Sequence, residues 1–223
     1  MIRGPHDGGG GRSVHFTEEM AGFACVGAPD YAAGWHNGKA AVAGDGSEGG
    51  PLGTRLMFHL TIGTDDLDAF LADPQHECGA VGYVGAPLFG GDRLPVTRGR
   101  FNLFAPGLSP GRTVMRYRLW FATTAGDPLT LVGFKDVGND PGLDSWRDTT
   151  CLFTRILEGH VEPDEDDGVP ERARGLVVIE PAMFARQLTT FRGHPVAVLR
   201  FGWMFAHSLA KVYWSRPRPR RAR

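Results

Sequence analysis

Apolar and polar residues alternate with a period of two in several separate stretches of the chain. The clearest stretch is TRLMFHLTIGT at 54–64, where Leu56, Phe58, Leu60 and Ile62 occupy every second position. Successive side chains of a strand point to opposite faces, so this period predicts a strand with one apolar face. Similar runs predict further strands at 13–27, 77–86, 94–104, 113–124, 128–137, 149–158 and 175–180.

The period lengthens in three other stretches and predicts helices there. TDDLDAFLADP at 64–74 offers Thr64 or Asp65 as an N-cap and ends at Pro74. PAMFARQLTTF at 181–191 begins with a proline, which is typical of the first helical position. The run 196–214 spaces its large apolar residues by three or four positions, as an amphipathic helix does.

About eight strands joined by short connections favour antiparallel neighbours. Eight strands close a small barrel that can hold one small ligand, so we expect a mainly β, antiparallel, lipocalin-like barrel with one short internal helix and C-terminal helices. A β-sandwich is the alternative. The pattern disfavours parallel α/β folds, because helices between successive strands are missing.

Composition and charge narrow the class of protein. The net charge is −1, so no overall field attracts nucleic acid, and we expect no nucleic-acid partner. No run reaches the ~20 apolar residues that a membrane span needs, and the N-terminus lacks a signal-peptide core. The three cysteines, Cys25, Cys78 and Cys151, are too dispersed for a disulfide scaffold. We therefore expect a soluble, cytoplasmic protein with reduced thiols.

The chain divides into three parts by composition. Residues 1–13 contain four consecutive glycines and predict a flexible leader. Residues 14–214 form the predicted single domain, in which the acidic stretch 158–172 is expected to be a solvated loop. Residues 215–223, SRPRPRRAR, predict a basic disordered tail, with an electrostatic arm for nucleic acid or anionic lipid as the alternative.

Motifs for cofactors and metals are weak. GDGSEGG at 44–50 contains the GxGxxG spacing, but the following GPLGT cannot begin the helix that a dinucleotide site requires. The histidines are dispersed without HxH or HExxH spacing, so no metal site is predicted. No GxSxG elbow is present, and Cys151 lies in an apolar run that predicts a core thiol. We expect no cofactor.

Strand faces indicate the candidate site residues. In 113–121 Tyr117 and Arg118 fall on opposite faces, and in 128–137 Lys135 shares a face with Leu129 and Leu131. Lys135 is expected near Asp148 across a turn, first as a structural ion pair and second as a ligand-orienting cluster, and Trp146 is expected to seal the barrel end. The candidates for catalysis are Lys135, Asp148, Tyr117, Arg118 and His59. The candidates for ligand binding are Phe58, Tyr117, Arg118, Trp120, Lys135, Trp146 and Asp148.

Several stretches carry a family resemblance. TRLMFHLTIGTDDLDAFLADPQHE, GRFNLF, MRYRLWF, GDPLTLVGFKDV, DSWRDTTCLFTRILEGHV and GLVVIEPAMFARQLTTF resemble an accessory β-rich region of actinobacterial cholesterol-oxidase-like (glucose–methanol–choline) oxidoreductases. The resemblance covers roughly residues 14–214, and GFKDV (133–137) and WRDTT (146–150) are its most specific pieces. This chain has neither the flavin domain nor a hydrolase elbow, so oxidase activity is not implied. The resemblance implies a sterol- or lipid-metabolic context.

Three functions are therefore open at the level of sequence. The first is binding of an apolar small molecule (a lipid, sterol or polyketide-like compound) inside the barrel. The second is a cofactor-independent cyclase or isomerase, in which a few polar groups orient a reactive substrate and move protons. The third is a scaffold for a separately encoded oxidoreductase. The sequence leaves open whether the protein is an enzyme, and also its oligomeric state.

Overall fold

The computed structural model describes residues 12–44, 50, 52–107, 112–137 and 150–214. The strands are β1 Val14–Cys25, β2 Gly53–Thr64, β3 Glu77–Ala86, β4 Gly91–Val96, β5 Arg98–Pro106, β6 Thr113–Ala122, β7 Pro128–Val137, β8 Cys151–Glu158, β9 Glu171–Val178 and β10 Arg192–Gly193. The helices are α1 Tyr31–Ala43, α2 Leu67–Ala72, α3 Pro181–Leu188 and α4 Pro195–Trp214. Short 3₁₀ turns span Pro87–Phe89 and Pro163–Glu165.

The strands form a closed antiparallel barrel, which confirms the predicted fold class. Eight strands follow one another around it in the order β1-β2-β3-β5-β6-β7-β8-β9, and β9 pairs with β1 to close the ring. At this closure a Cβ atom on Gly22 would lie 2.0 Å from the Leu176 carbonyl oxygen, and one on Gly175 would lie 2.0 Å from that of Phe23. Glycine at both positions therefore lets the first and last barrel strands approach each other.

Strand β1 has different partners along its length. We call the barrel end at Cys25 and Ala122 the upper end, and the end at Val14 and Val137 the lower end. The upper part of β1 pairs with β9, whereas Val14 pairs with β10. Between these pairings the Thr17 amide donates to the Thr190 hydroxyl at 2.9 Å. A side chain thus replaces a ladder hydrogen bond where the two partner strands separate.

Alternation along the strands separates an apolar interior from an outer face. On β6 the inward residues include Tyr117 and Leu119, while Arg118 points outward; on β7 Leu131 and Lys135 point inward. This confirms the predicted division of both strands into faces. The interior is occupied by large buried side chains, including Phe58, Phe101, Met20, Leu60, Leu119, Leu131 and Leu152.

The lower end of the barrel is covered by α2 and α4. The ring of Phe201 on α4 lies 6.0 Å from that of Phe16 and 5.8 Å from that of Phe70 on α2. Phe104 lies at a register shift in β5 with φ of 50°, and its ring lies 5.7 Å from that of Phe205. The bulge therefore directs an additional aromatic side chain towards the covering helix.

Helix α1 was not predicted from the sequence. The Asp30 carboxylate accepts a hydrogen bond from the Ala33 amide and begins the helix. The buried residues of its barrel-facing side are glycines, beside which Trp35 and Tyr31 contact Phe23 and Phe153. A Cβ atom on Gly34 would lie 2.1 Å from the Arg174 carbonyl oxygen, and one on Gly38 would lie 2.5 Å from that of Ala24. Backbone therefore packs on backbone here.

Two further expectations differ from the structure. The run 94–104 is two strands, β4 and β5, because the chain turns at Thr97. The acidic stretch 158–172 is only partly solvated, because Val161 is buried with Val132 of β7 and Leu157 of β8. Its carbonyl oxygen accepts from Trp120 Nε1 of β6 at 3.0 Å. This stretch covers part of the barrel wall.

Other predictions concern thiols, membranes and the chain ends. Cys25, Cys78 and Cys151 form no disulfide bond within the described residues, and burial raises the pKa of the Cys78 thiol to about 12. Within the described ranges, no helix has the length and apolar character needed to cross a membrane. The predicted leader (except Arg12 and Ser13), the basic tail and most of the GDGSEGG loop lie outside the described residues.

Candidate functional site

Three polar side chains meet inside the barrel. The Tyr117 hydroxyl donates to the carboxylate of Glu18, whose two oxygens lie 2.9 and 3.1 Å away. The Lys135 ammonium lies 3.3 Å from Glu18 Oε1 and 5.3 Å from the centre of the Tyr117 ring. We call Glu18, Tyr117 and Lys135 the interior triad.

The interior triad is shielded from water. Glu18 and Lys135 are each 3% exposed and Tyr117 is 2% exposed. The Tyr117 ring lies 5.7 Å from that of Phe58 and 4.8 Å from that of Phe101. Charges in such apolar surroundings persist only when they are paired and hydrogen-bonded, as they are here.

Burial raises the pKa of Tyr117 well above its usual value, and the nearby negative charge and hydrogen bond of Glu18 act in the same direction. Tyr117 is therefore a hydrogen-bond donor at neutral pH. Lys135 supplies a fixed positive charge to the same carboxylate. Chemically, the triad can donate to or orient a polar group, but its members already satisfy one another.

The structure brings together three of the residues proposed from sequence: Phe58, Tyr117 and Lys135. The partner of Lys135 here is Glu18, on β1, which sequence reasoning did not include. The signal was present, because Glu18 has the same parity as the buried Phe16 and Met20. Asp148 and Trp146, the other residues expected at this cluster, lie outside the described residues.

His59 lies apart from the interior triad. It belongs to the outer face of β2, where its ring stacks on that of Tyr83 at 5.4 Å. Its Nδ1 lies 3.4 Å from Glu19 Oε2, and both side chains are 35% exposed. The structure therefore places His59 in a surface contact on the other side of the barrel wall from Tyr117.

Arg118 and Trp120 also point outward, beneath the stretch 158–172. Arg118 donates to the two carboxylate oxygens of Asp166 at 2.8 and 2.9 Å, and to the Val161 carbonyl oxygen at 2.9 Å. The Arg98 guanidinium lies 3.9 Å from the centre of the Trp120 ring. These contacts hold 158–172 against the sheet, so the structure gives both residues a packing partner.

The barrel wall contains a seam between β4 and the upper end of β6. Strand β4 pairs with β3, and in the described part of the chain it has no ladder pairing with β6. Pairing of β6 with β5 ends at Arg98 and Trp120, so Phe121 and Ala122 lie beyond it. At this seam the wall is therefore not joined by a strand ladder.

An open groove of about 500 Å³ lies on this seam. We call it the seam groove; its lining comprises Arg93, Leu94, Pro95, Thr97, Arg98, Trp120, Phe121, Ala122, Thr123, Thr124 and His160. Leu94 and Phe121 are also members of the buried core. The groove therefore combines core side chains with two arginines.

A second, smaller cavity of about 180 Å³ lies on the outer face of β5 to β8. Its lining includes Arg100, Arg116, Arg118 and Arg155. Asp166 pairs with Arg118 at 2.8 Å and lies 3.8 Å from Arg155. Much of the positive charge is thus already neutralised by the protein itself.

No group of three or more histidine, cysteine, aspartate or glutamate side chains could hold a metal ion within the described ranges. Comparison with known proteins gives no match to a family model, to a curated protein or to a solved structure. The resemblance to the cholesterol-oxidase-associated region therefore stays a prediction.

Proposed function

We propose that the protein binds an apolar small molecule, of lipid, sterol or polyketide type, through the seam groove. The observation that carries this proposal is the groove of about 500 Å³ at a seam in the barrel wall. Small-molecule sites commonly occupy ~300–1,000 Å³ and are mostly apolar, with a few polar groups that fix orientation. The sequence-based proposal of binding is retained, and its site moves from the barrel interior to the wall.

The lining indicates how such a ligand would lie. Leu94, Trp120 and Phe121 supply apolar surface, and Leu94 and Phe121 are continuous with the core. These three side chains are at most 3% exposed, so an apolar ligand would reach them only by moving β4 away from β6. Burial of apolar surface contributes ~25 cal/mol per Å² and supplies the main driving force.

The groove also favours a negatively charged group on the ligand. Arg93 and Arg98 line it; Arg98 is paired with Glu162. The Arg93 guanidinium lies 4.3 Å from the centre of the Tyr83 ring and pairs with no carboxylate in the described ranges. Arg93 is therefore the cation available to a carboxylate at the mouth of the groove.

Binding is better supported than catalysis. Catalysis by the interior triad would require a substrate to reach Glu18, Tyr117 and Lys135, each no more than 3% exposed. A cofactor-free cyclase or isomerase also needs polar groups directed at its substrate, whereas these three are directed at one another. The seam groove is open to solvent, whereas the interior triad lies inside the barrel.

A pair of matched substitutions tests the proposal. Ala122 lines the groove, whereas Ala125 is exposed in the following turn and does not. Ala122→Trp should fill the groove and weaken binding of a dansyl-labelled fatty acid at least ~10-fold, because the ligand can then bury less apolar surface there. Ala125→Trp should leave the binding unchanged. Fluorescence titration measures both dissociation constants.

The arginine is tested with a charged and an uncharged probe. Arg93→Gln should weaken binding of the dansyl-labelled fatty acid ~3- to 10-fold and leave binding of the neutral sterol dehydroergosterol unchanged, since an exposed charge contributes about 1 kcal/mol. The proposal fails if neither probe binds the unaltered protein, or if the two tryptophan variants bind equally well.

A further inference from the structure

Helix α4 exposes an apolar stripe to solvent. Val196, Leu199 and Trp203 are 57%, 74% and 69% exposed. Their spacing of three and four residues places them on one face of the helix. The opposite face is also apolar, with Ala197 and Phe201 buried against the barrel end. A surface helix normally presents polar residues to solvent, so an exposed apolar stripe indicates an interaction surface.

The same part of the chain is strongly basic. Residues 181–223 contain nine lysine and arginine residues and no aspartate or glutamate, whereas residues 1–180 contain fifteen and twenty-five respectively. The net charge of −1 is therefore the sum of a basic C-terminal part and an acidic remainder of the chain. Arg186 and Arg192 are exposed and pair with no carboxylate in the described ranges, while Arg200 pairs with Asp68 at 2.8 Å.

We propose that α4 docks on the surface of an anionic lipid bilayer. The apolar stripe would enter the boundary between headgroups and acyl chains, where tryptophan is favoured, and the exposed Arg186 and Arg192 would be available to the lipid phosphates. Each lysine or arginine near such a surface contributes about 1 kcal/mol. This surface lies at the lower end of the barrel, away from the seam groove, and the proposal does not depend on the groove.

Other partners fit the stripe less well. A stable dimer buries about 800 Å² on each partner, more than three exposed side chains on one helix supply. Single-stranded nucleic acid would use Trp203 for stacking, but the more exposed Leu199 and the neighbouring Val196 have no ring to stack on a base. Aliphatic and aromatic side chains together with unpaired cations match a lipid surface.

Cosedimentation of the full chain with vesicles tests the proposal. We expect binding to mixed phosphatidylcholine–phosphatidylglycerol vesicles that is at least ~10-fold tighter than binding to phosphatidylcholine alone, and that weakens as salt is added. The fluorescence emission should shift to shorter wavelength on binding, and Trp203→Phe should remove most of that shift.

Matched variants identify the face. The double variant Leu199→Glu/Trp203→Glu should weaken vesicle binding at least ~10-fold, because it removes the apolar stripe and adds negative charge. Val42→Glu/Leu52→Glu makes the same change in charge at two other exposed apolar positions and should bind as the unaltered protein does. All four side chains are exposed, so circular dichroism should report an unchanged fold.

Four results would overturn the proposal. The first is equal binding to neutral and anionic vesicles, and the second is equal binding by the two double variants. The third is a concentration-dependent dimer that Leu199→Glu/Trp203→Glu dissociates, without vesicle binding. The fourth is tighter binding to a single-stranded oligonucleotide than to anionic vesicles at the same salt concentration.

Discussion

Glu18 and Lys135 place opposite charges in the barrel interior, where water cannot solvate either of them. Removing two charges from water costs several kcal/mol per ion, and their attraction offsets this only when hydrogen bonds satisfy the remaining atoms. Tyr117 supplies one such hydrogen bond to Glu18. The three residues therefore depend on one another, and loss of one leaves another unsatisfied.

Lys135→Met should lower the free energy of unfolding by ~3–5 kcal/mol, because it leaves the Glu18 carboxylate buried without a counter-ion. Urea denaturation measures the change. In Glu18→Gln/Lys135→Met both charges are absent and the glutamine can still accept from Tyr117, so this double variant should be the more stable of the two. A double variant no more stable than Lys135→Met would contradict the account of an uncompensated buried charge.

The raised pKa of Tyr117 predicts a dependence of stability on pH. An unfolded tyrosine titrates near pH 10, whereas buried Tyr117 keeps its proton to higher pH. The stabilisation is thus complete below about pH 10 and is lost as pH rises towards the folded-state pKa. Urea midpoints should therefore fall more steeply above about pH 10 for the unaltered protein than for Tyr117→Phe.

Comparison with Tyr117→Phe isolates the contribution of the Tyr117 hydroxyl. The variant removes a hydrogen bond to a charged group and should lose ~1.5–3 kcal/mol at neutral pH. Ionisation of Cys78, whose pKa is also raised, affects both proteins equally and cancels in the comparison. Parallel pH profiles for the two proteins would show that Tyr117 does not remain protonated in the folded state.

The sequence singles out Tyr117 and Lys135 but does not show that Glu18 is their partner. Alternation in β6 and β7 places Tyr117 and Lys135 on the apolar faces of their strands, and polar groups on an apolar face indicate a buried polar cluster. Their partner is 117 positions from Lys135 and 99 from Tyr117 along the chain. Such a pairing follows from barrel closure, which no local pattern encodes.

Helix α1 packs on the barrel through glycines, which lowers its intrinsic helix propensity but allows closer packing. Gly34 and Gly38 weaken the intrinsic helix propensity, since glycine costs ~1 kcal/mol relative to alanine. In return they let the helix axis approach the backbones of Arg174 and Ala24. Tertiary contact thus outweighs local propensity in this helix.

Two identical substitutions should have opposite effects. Gly38→Ala should lower the free energy of unfolding by ~1–3 kcal/mol, because its Cβ would lie 2.5 Å from the Ala24 carbonyl oxygen. Gly202→Ala in α4 should raise it by ~0.5–1 kcal/mol, since a Cβ there meets no atom within 4 Å and alanine favours the helix. Thermal or urea denaturation compares them. Stabilisation by both would show that α1 does not pack as closely as described.

The same glycines explain why the sequence predicts α2 and α4 but not α1. LDAF in α2 and VAVLRF in α4 display apolar spacing. The predicted N-cap of α2, Thr64 or Asp65, was wrong: the cap is Asp66, whose carboxylate accepts from the amides of Asp68 and Ala69. In YAAGWHNGKAAVA the buried residues are Gly34 and Gly38, and Tyr31 and Trp35 add ring contacts to Phe153 and Phe23. Glycine at the two buried positions interrupts the apolar face that a helical period would show. Glycine in such a run ordinarily indicates a turn.

For the molecule as a whole, closure of the barrel depends on the contact of β1 with β9. Gly175→Ala should disrupt it, because the added Cβ would lie 2.0 Å from the Phe23 carbonyl oxygen. We expect a loss of at least ~2 kcal/mol together with faster hydrogen exchange of the amides of β1 and β9. Gly91→Ala, whose Cβ would meet the flexible Leu94 side chain at 3.2 Å, should leave these amides protected.

The eight strands of the closed ring and their antiparallel order follow from the sequence, because each strand carries its own alternation and turn, whereas the short strands β4 and β10 do not. Closure does not, because a barrel and a β-sandwich use the same strands and differ in which edges meet. The seam groove is likewise invisible to local patterns. It results from β4 pairing with β3 alone while β5 continues the ring.

The pairing of β1 with β9 joins Ala21–Cys25 to residues 174–178, about 150 positions apart. A chain made from its N-terminus therefore exposes one edge of β1 until almost all of the barrel has been synthesised. Contacts so distant in sequence slow folding, and an unpaired edge strand is a template for association with other chains. The barrel should thus close only after synthesis of β9, and nascent chains that stop before residue 174 should be the ones that require a chaperone.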